Sequence, residues 1–505
     1  MAEVNTPSST KLPSIKLPVT AAANKEHFVT IRIEWAGLDR RAVSDTGYLI
    51  DVKNISMTDL PYLTTAPEPA ALAYNYVNPI SLQAFADFLL VIYRENTQVK
   101  IDYIRGSDKF TGVIKTNATS ADDNVIRNIV QFQLFTDIYD PLFGDYIGKL
   151  LVFPDKKSFD FDINVNNVDA GNFTLSDLDH PTYPIPNIIY PVVHGSRLFG
   201  VDDVRIFASG FNDYTFWDLD TTDSIAAPGN AWVSTSQANS KARGVFKGIT
   251  SYAGHVVCFK KNFMQQVYNT KNPFRVVDVD AEGAIDNRGI IELQGSLFYV
   301  SEHNVKYYTG GIPHNIADPL AIGNYTDGIL GAYQDTVYCY NDGTLYTFNV
   351  NNKQWSITAY MPPENTSPII NFATNQNGIY ALHKDGYIRK YNTTDYSHEW
   401  YFETDLTINN TLETQSIEKM DMYVELFENS MVDVYLLKDN EIFGMDSLHV
   451  LSSAGCPLGK RVLRSLVRNG AYYGQRIYVK GYGKVTIRAL EVRYKLENET
   501  YGEKY

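Results

Sequence analysis

An all-β fold is what this 505-residue sequence predicts, and three observations carry the prediction. Aromatic residues make up 13% of the chain, led by 36 tyrosines and 25 phenylalanines, types that favour strands and half-wet sheet faces. Short β-type runs recur from about residue 80 to 403, with no amphipathic helical period between them. Tight turns such as Asn341-Asp342-Gly343 and Lys384-Asp385-Gly386 separate neighbouring runs, and Asx-Gly supplies the positive φ that a hairpin needs. Meanders of three or four strands, repeating every roughly 35–50 residues, cannot bury both faces alone and are stabilised by stacking around an axis. The predicted architecture is therefore a β-propeller of six or seven blades, with an extended N-terminal arm and a C-terminal antiparallel β module. The absence of long Greek-key excursions disfavours a set of β-sandwiches.

Residues 1–27 are rich in Pro, Ser, Thr and Ala and carry the near-repeat Lys11-Leu12-Pro13 and Lys16-Leu17-Pro18. Such a segment buries too little to fold alone, and reads as an arm that orders on a partner or neighbouring subunit, or as a simple tail. Residues 28–79 hold a first strand, Phe28–Trp35, and a turn-rich stretch running from Asp51 to Pro69. The propeller is assigned to 80–410. Its first units are Phe88–Tyr93 with Val99–Ile104 and Phe110–Ile114, then Ile129–Phe135 with Lys149–Phe153 and Ser158–Ile163. A third has Arg197–Val201, Val204–Ser209 and Tyr214–Leu219; a fourth runs from Val245 to Asp278, a fifth from Gly289 to Thr309 and a sixth from Ile329 to Thr358. The seventh has Ile369–Ala373, Gly378–His383, Tyr387–Tyr391 and Glu399–Glu403. The count stays between six and seven because the units over 80–165 are irregular, and one blade built jointly from N- and C-terminal strands is an open alternative. Residues 411–505 form the C-terminal module, with alternating runs at Glu418–Leu426, Met431–Leu437, Lys460–Val467, Gln475–Lys480 and Lys484–Tyr494.

The net charge of −14 argues against a protein whose whole surface grips nucleic acid. The charge is uneven: from Cys456 onward the chain is +7, which leaves −21 on everything before it. Lys11, Lys16, Lys460, Arg461, Arg464 and Arg468 are thus candidate docking residues, although solvated strand faces account for the same charges. The three cysteines, Cys258, Cys339 and Cys456, fall in no paired spacing, so neither a disulfide framework nor a zinc site is expected. The N-terminus lacks the apolar stretch of a secretory signal, and no apolar run reaches about 18 residues, so no membrane-spanning segment is expected.

Signals for chemistry are absent. The nine histidines show no H-x-x-x-H spacing, and no G-x-S-x-G elbow occurs. The stretch from Gly455 to Arg461 is one residue too short for a phosphate loop and has Arg where Ser or Thr would bind magnesium. No blade carries a sialidase-type Asp box, and no spacing identifies a glycosidase carboxylate pair. Asp122-Asp123 and Asp202-Asp203 read as solvated turns, and Trp217, Tyr338, Tyr340, Trp355, Tyr380 and Trp400 as blade-to-blade core. No catalytic, cofactor-binding or metal-ligating residue is expected, and no enzyme.

Three stretches carry a resemblance. The first, Asn54-Ile55-Ser56-Met57-Thr58-Asp59-Leu60-Pro61-Tyr62-Leu63, precedes a Pro-rich Ala66-Pro67-Glu68-Pro69. The second, Val204 to Trp217, holds a strand, Ser209-Gly210, Asn212 and an aromatic run. The third joins Ala284-Ile285-Asp286-Asn287-Arg288-Gly289 to Leu297–Ser301 and Val305–Tyr308. Together with the closing runs Arg476–Lys480 and Lys484–Tyr494, they resemble the β-propeller virion proteins of short-tailed bacteriophages: tail nozzle or hub proteins and packaged-DNA stabilisation proteins. The chain departs from that pattern where an arginine-bearing "RPG" would close the first stretch. The resemblance spans most of residues 45–495 and implies a structural virion protein of the phage tail, assembled in the host cytoplasm. Copies would form a ring, a hexamer, that retains the packaged genome and conducts DNA during ejection. An adaptor or portal-proximal ring above and tail fibre or distal tail proteins would be its partners, with genomic DNA a transient, non-specific passenger. An acidic body suits that passage, because like charge keeps DNA from sticking. No cofactor or catalytic residue is carried over. The alternative is a propeller-fold tail protein that binds or degrades glycans.

Overall fold

The computed structural model describes residues 27–496 apart from 42–46, 86, 120–127, 133–146, 163–174, 179, 181, 220–228, 235–243, 270, 359–366, 406–414, 439–445, 453–458 and 467–474. Seven four-stranded antiparallel sheets follow one another along it, over residues 79–115, 128–177, 189–233, 246–279, 290–315, 329–357 and 369–390, the last completed by a strand from upstream. These are the blades of a seven-bladed propeller. Second strands such as Phe88–Glu95, His255–Lys260, Ser296–Val300 and Gly378–His383 are buried along nearly their whole length, because a neighbouring blade covers each face. That is why FLLVIY, HVVCFK and GIYALH read as continuous apolar runs rather than alternating ones. The first strands of neighbouring blades lie side by side around the axis, and Ile369–Asn375 of blade seven meets Pro79–Phe85 of blade one.

The ring closes with borrowed chain. The outer strand of blade seven is Ala70–Asn75, antiparallel to Tyr387–Lys390, with Ala70 opposite Lys390 and Asn75 opposite Tyr387. This corrects the expected fourth strand, Glu399–Glu403. With that edge already occupied, Glu399–Asp405 leaves the propeller and pairs instead with Tyr48–Lys53 and Gln475–Tyr482. A second correction concerns Tyr214–Leu219, which is not a strand. Asp213 accepts hydrogen bonds from the Thr215 N–H and hydroxyl and turns the backbone, and Trp232–Val233 pairs with Ile206–Ala208 in its place. Trp217 is nonetheless buried, its indole N–H donating to the Tyr214 carbonyl.

Both ends of the described chain build a second body of two six-stranded sheets. In one, Val485–Leu496 lies between Gln415–Leu426 on one side and His27–Ile33 and Leu63–Thr65 on the other, and Gly459–Leu466 forms the edge. In the other, Tyr48–Lys53, Glu399–Asp405, Gln475–Tyr482, Met431–Lys438 and Asp446–Ser452 lie in that order. The segment expected to be turn-rich therefore supplies strands, and sequence boundaries at 79/80 and 410/411 cut through sheets that span both sides. One apolar cluster joins the two sheets to blades five and six, through Met422, Val492, Trp400, Val479, Phe298 and Trp355 among others. Asn54, at φ 56°, ties the junction: its N–H donates to the Ile357 carbonyl at 3.0 Å and its side-chain amide to the Glu399 carbonyl at 2.7 Å. Positive φ of this kind is cheapest for Gly and Asn, which explains the residue type.

Candidate functional site

The propeller axis is the first place to look, because seven strands converge there without pairing to one another. Their free backbone groups need partners, and side chains supply them. The Asn371 amide accepts from the Leu82 N–H at 2.9 Å and donates to the Leu82 carbonyl, latching blade seven to blade one. Gln83 accepts from the Ile129 N–H of blade two at 3.0 Å, and Asn287 from the Ile249 N–H of blade four at 3.2 Å. The Thr374 hydroxyl donates to the Ala332 carbonyl of blade six at 2.7 Å.

Arg288 makes the longest reach. It lies in a short 3₁₀ turn, Asn287–Gly289, capped by Asp286, whose carboxylate accepts the Arg288 N–H at 2.9 Å. The guanidinium forks onto that same carboxylate at 3.0 and 2.9 Å, and its remaining arm donates to the Ile370 carbonyl of blade seven at 3.0 Å. Burial works against the charge, but the Asp286 carboxylate holds the Arg288 pKa above its ordinary value. Gly289 is required here, since a Cβ would stand 2.3 Å from the Gly328 carbonyl oxygen at the start of blade six. An axial cavity of about 290 Å³ is lined by these groups and by apolar side chains, Phe85 and Phe372 among them, and no carboxylate is among its described lining residues. The Asp286-Asn287-Arg288-Gly289 stretch singled out in the sequence thus lies at the axis and acts as a clamp.

A second cavity, of about 650 Å³, opens at the seam between blades seven and one, beside the closing strand Ala70–Asn75. Nothing in the sequence pointed to it, because its walls come from segments about 300 residues apart that meet only when the ring closes.

Of the candidate docking residues, Lys460, Arg461 and Arg464 lie on the edge strand Gly459–Leu466, with Lys460 and Arg464 exposed and Arg461 half-buried. Lys11, Lys16 and Arg468 lie outside the described residues. The basic excess is paired more than its sum suggests: Arg464 binds Asp421 at 2.9 Å, Arg488 binds Glu425 at 2.5 Å, and Arg493 binds Glu418 at 3.0 Å, all across neighbouring strands. Cys258 and Cys339 are buried and burial pushes both thiols up, Cys339 to about 12, so neither is a nucleophile. Cys456 and Asp122-Asp123 lie outside the described residues. Asp202 serves its turn by accepting the Val204 and Arg205 N–H groups. Tyr340, Trp355, Tyr380 and Trp400 are buried and Tyr338 is half-buried. Among the described residues no group of three or more His, Cys, Asp or Glu is placed to hold a metal ion.

No family model and no curated protein matches the chain. Solved structures resemble it at low identity. YCF48 bound to D1 peptide is 12% identical, with 65% of this chain and 96% of that one covered and a TM-score of 0.36. The extracellular domain of the putative one component system BT4673 from B. thetaiotaomicron is 9% identical, covering 85% and 62%, with a TM-score of 0.40. The WD40 domain of Toxoplasma gondii coronin is 11% identical, covering 67% and 87%, with a TM-score of 0.39. Likenesses at this level say nothing of activity or partners. The class is that of a seven-bladed β-propeller, defined by the sheets themselves.

Proposed function

We propose that this chain is a structural, non-enzymatic virion protein of a bacteriophage tail, one subunit of a nozzle or hub ring that retains the packaged genome and conducts DNA during ejection. The observation that carries the non-enzymatic part is the axis, where Gln83, Arg288, Asn371 and Thr374 of the cavity wall are engaged in tying blades together. The tail assignment rests on the resemblance around Ala284–Gly289 and on the −21 charge before Cys456, which suits a surface that DNA slides past. In this reading copies form a hexamer around the tail axis. The edge bearing Lys460, Arg461 and Arg464, with the arm bearing Lys11 and Lys16 and with Arg468, faces an adaptor or portal-proximal ring; tail fibre or distal tail proteins lie beyond. Light scattering on the eluting protein and the position and rotational symmetry of its density in an intact particle test this. A ring on the tail axis supports the reading, whereas a monomer that hydrolyses surface glycans would overturn it in favour of the glycan-acting alternative.

A further inference from the structure

The outer strands of the seven blades are not alike. Sheet edges invite pairing with other chains, and proteins blunt them with shortness, charge, bulges or cover. Ser176–Asp177, Trp232–Val233 and His314–Asn315 are two residues long. Asp108–Lys115 carries three charges and an irregular register, and Arg275–Val279 carries Arg275 and Asp278. Gln354–Ile357 is covered by the second body, where Asn54 bonds Ile357. The closing strand, Ala70–Asn75 (AALAYN), has six residues, no charge, and exposed Ala70, Ala71, Ala73 and Asn75. One edge pairs with Tyr387–Lys390, and the other pairs with no strand among the described residues.

The seam cavity lies on one face of this strand. Tyr380 stands opposite Lys390, and Lys390 opposite Ala70, so one row of side chains crosses the sheet toward the open edge. Leu72 and Tyr74 line the cavity alongside Tyr380 and Lys390. The Lys390 ammonium lies 5.9 Å from the centre of the Tyr380 ring and is in no ion pair among the described residues. The other charge in the wall, Asp87, is bound by Arg105 at 2.7 Å, which leaves the cavity net positive. A strand added beside Ala70 would place the next side chain of the row two strand spacings from Lys390, roughly 10 Å, a gap that a lysine and a glutamate close between them.

We propose that the open edge of Ala70–Asn75 takes an extended acidic segment of a partner protein as a fifth strand of blade seven, with a carboxylate of that segment meeting Lys390 and its apolar side chains entering the seam cavity beside Leu72 and Tyr74. Backbone pairing supplies affinity in this mode and alternate side chains supply specificity. The chain's net charge of −14 repels acidic peptides in general, so binding of one reports a local site. The inference does not depend on the tail reading.

The test uses the full chain and a fluorescein-labelled, end-blocked peptide Thr-Phe-Thr-Val-Thr-Glu-Thr, with a second peptide carrying Lys in place of Glu. Anisotropy titration should show the glutamate peptide binding roughly tenfold tighter, the worth of one charge-assisted contact. Lys390→Glu should reverse that preference. Lys390→Met, which keeps an apolar stem against Tyr380, should abolish it without reversing it, and matching melting temperatures would establish that both variants fold. Amide exchange should slow within residues 70–75 when the peptide is bound. Equal affinity for the two peptides, a preference unchanged by Lys390→Glu, protection confined to another strand, or no binding up to about 1 mM would each overturn the proposal.

Discussion

His383 is 1% exposed and both of its ring nitrogens are engaged. The Ser367 carbonyl, 3.0 Å from Nδ1, can only accept, so Nδ1 carries the proton and Nε2 accepts from the Tyr391 hydroxyl at 3.2 Å. Burial is the chief reason its pKa falls to about 4, and the Arg389 charge adds to it. In the unfolded chain the same imidazole takes up its proton near pH 6.5. Between those values the unfolded state holds more protons than the folded one, so stability declines as the pH falls from about 6.5 and stops declining on this account below about 4. The loss expected from His383 is on the order of 3 kcal/mol. His383→Gln should therefore be less stable than the parent at pH 7.5, and denaturant midpoints for the two should converge as the pH approaches 4.5. A gap that stays constant across that range would contradict the assignment.

At the scale of the element, the closing strand is held from two sides. It pairs with Tyr387–Lys390 of blade seven, and the Tyr74 hydroxyl donates to the Ser107 carbonyl of blade one at 3.2 Å. Just beyond it, the Tyr76 ring lies 5.0 Å from the Lys109 ammonium, which binds the wholly buried Asp102 at 2.7 Å. Asp102 also accepts the Tyr93 and Thr111 hydroxyls, at 3.1 and 2.7 Å. Lys109→Met should cost about 2 kcal/mol by stranding that carboxylate, less than for a wholly buried pair because the lysine is 37% exposed. Lys109→Arg should recover most of the loss; chemical denaturation of both variants checks this.

Much of the fold is legible at this scale. The hairpins from Phe246 to Val279 and from Ile329 to Ile357 could be read off the sequence because strand, Asx or Gly turn and strand follow within a few residues. A blade built jointly from N- and C-terminal strands was an open alternative in the sequence, and blade seven is one; which strand closes it was not legible, since AALAYN has weak strand propensity and owes its conformation to a partner more than 300 residues away. The axial latches were partly legible. Asp286-Asn287-Arg288-Gly289 stood out as a motif, but its bond to Ile370 depends on ring closure.

At the scale of the whole molecule, the two-sheet body and blades five and six share one apolar cluster. The ring itself closes through a strand that lies between that body and blade one in sequence. Neither part can lose its packing without exposing the other, so calorimetry should record one main unfolding transition. Two transitions separated in temperature, with the sheets over residues 415–496 melting first, would show that the shared core is weaker than its burial suggests. The charge asymmetry also looks different at this scale. Part of the basic excess near the C-terminal end, Arg464, Arg488 and Arg493, pairs with acidic residues of the strand Gln415–Leu426, so the edge at Lys460 and Arg464 offers a mixed surface rather than a bare positive one.

His27 stands directly opposite Leu496, at the end of an antiparallel pairing that runs to Ile33 and Leu490. A pull applied at these two residues in opposite directions would meet the hydrogen bonds one at a time, as in opening a zipper, whereas each blade, gripped by its neighbours on both faces, would have to yield several at once. Mechanically, then, the molecule has a soft seam and a stiff ring. Tension would undo the seam between the first and last described strands while the propeller stayed shut.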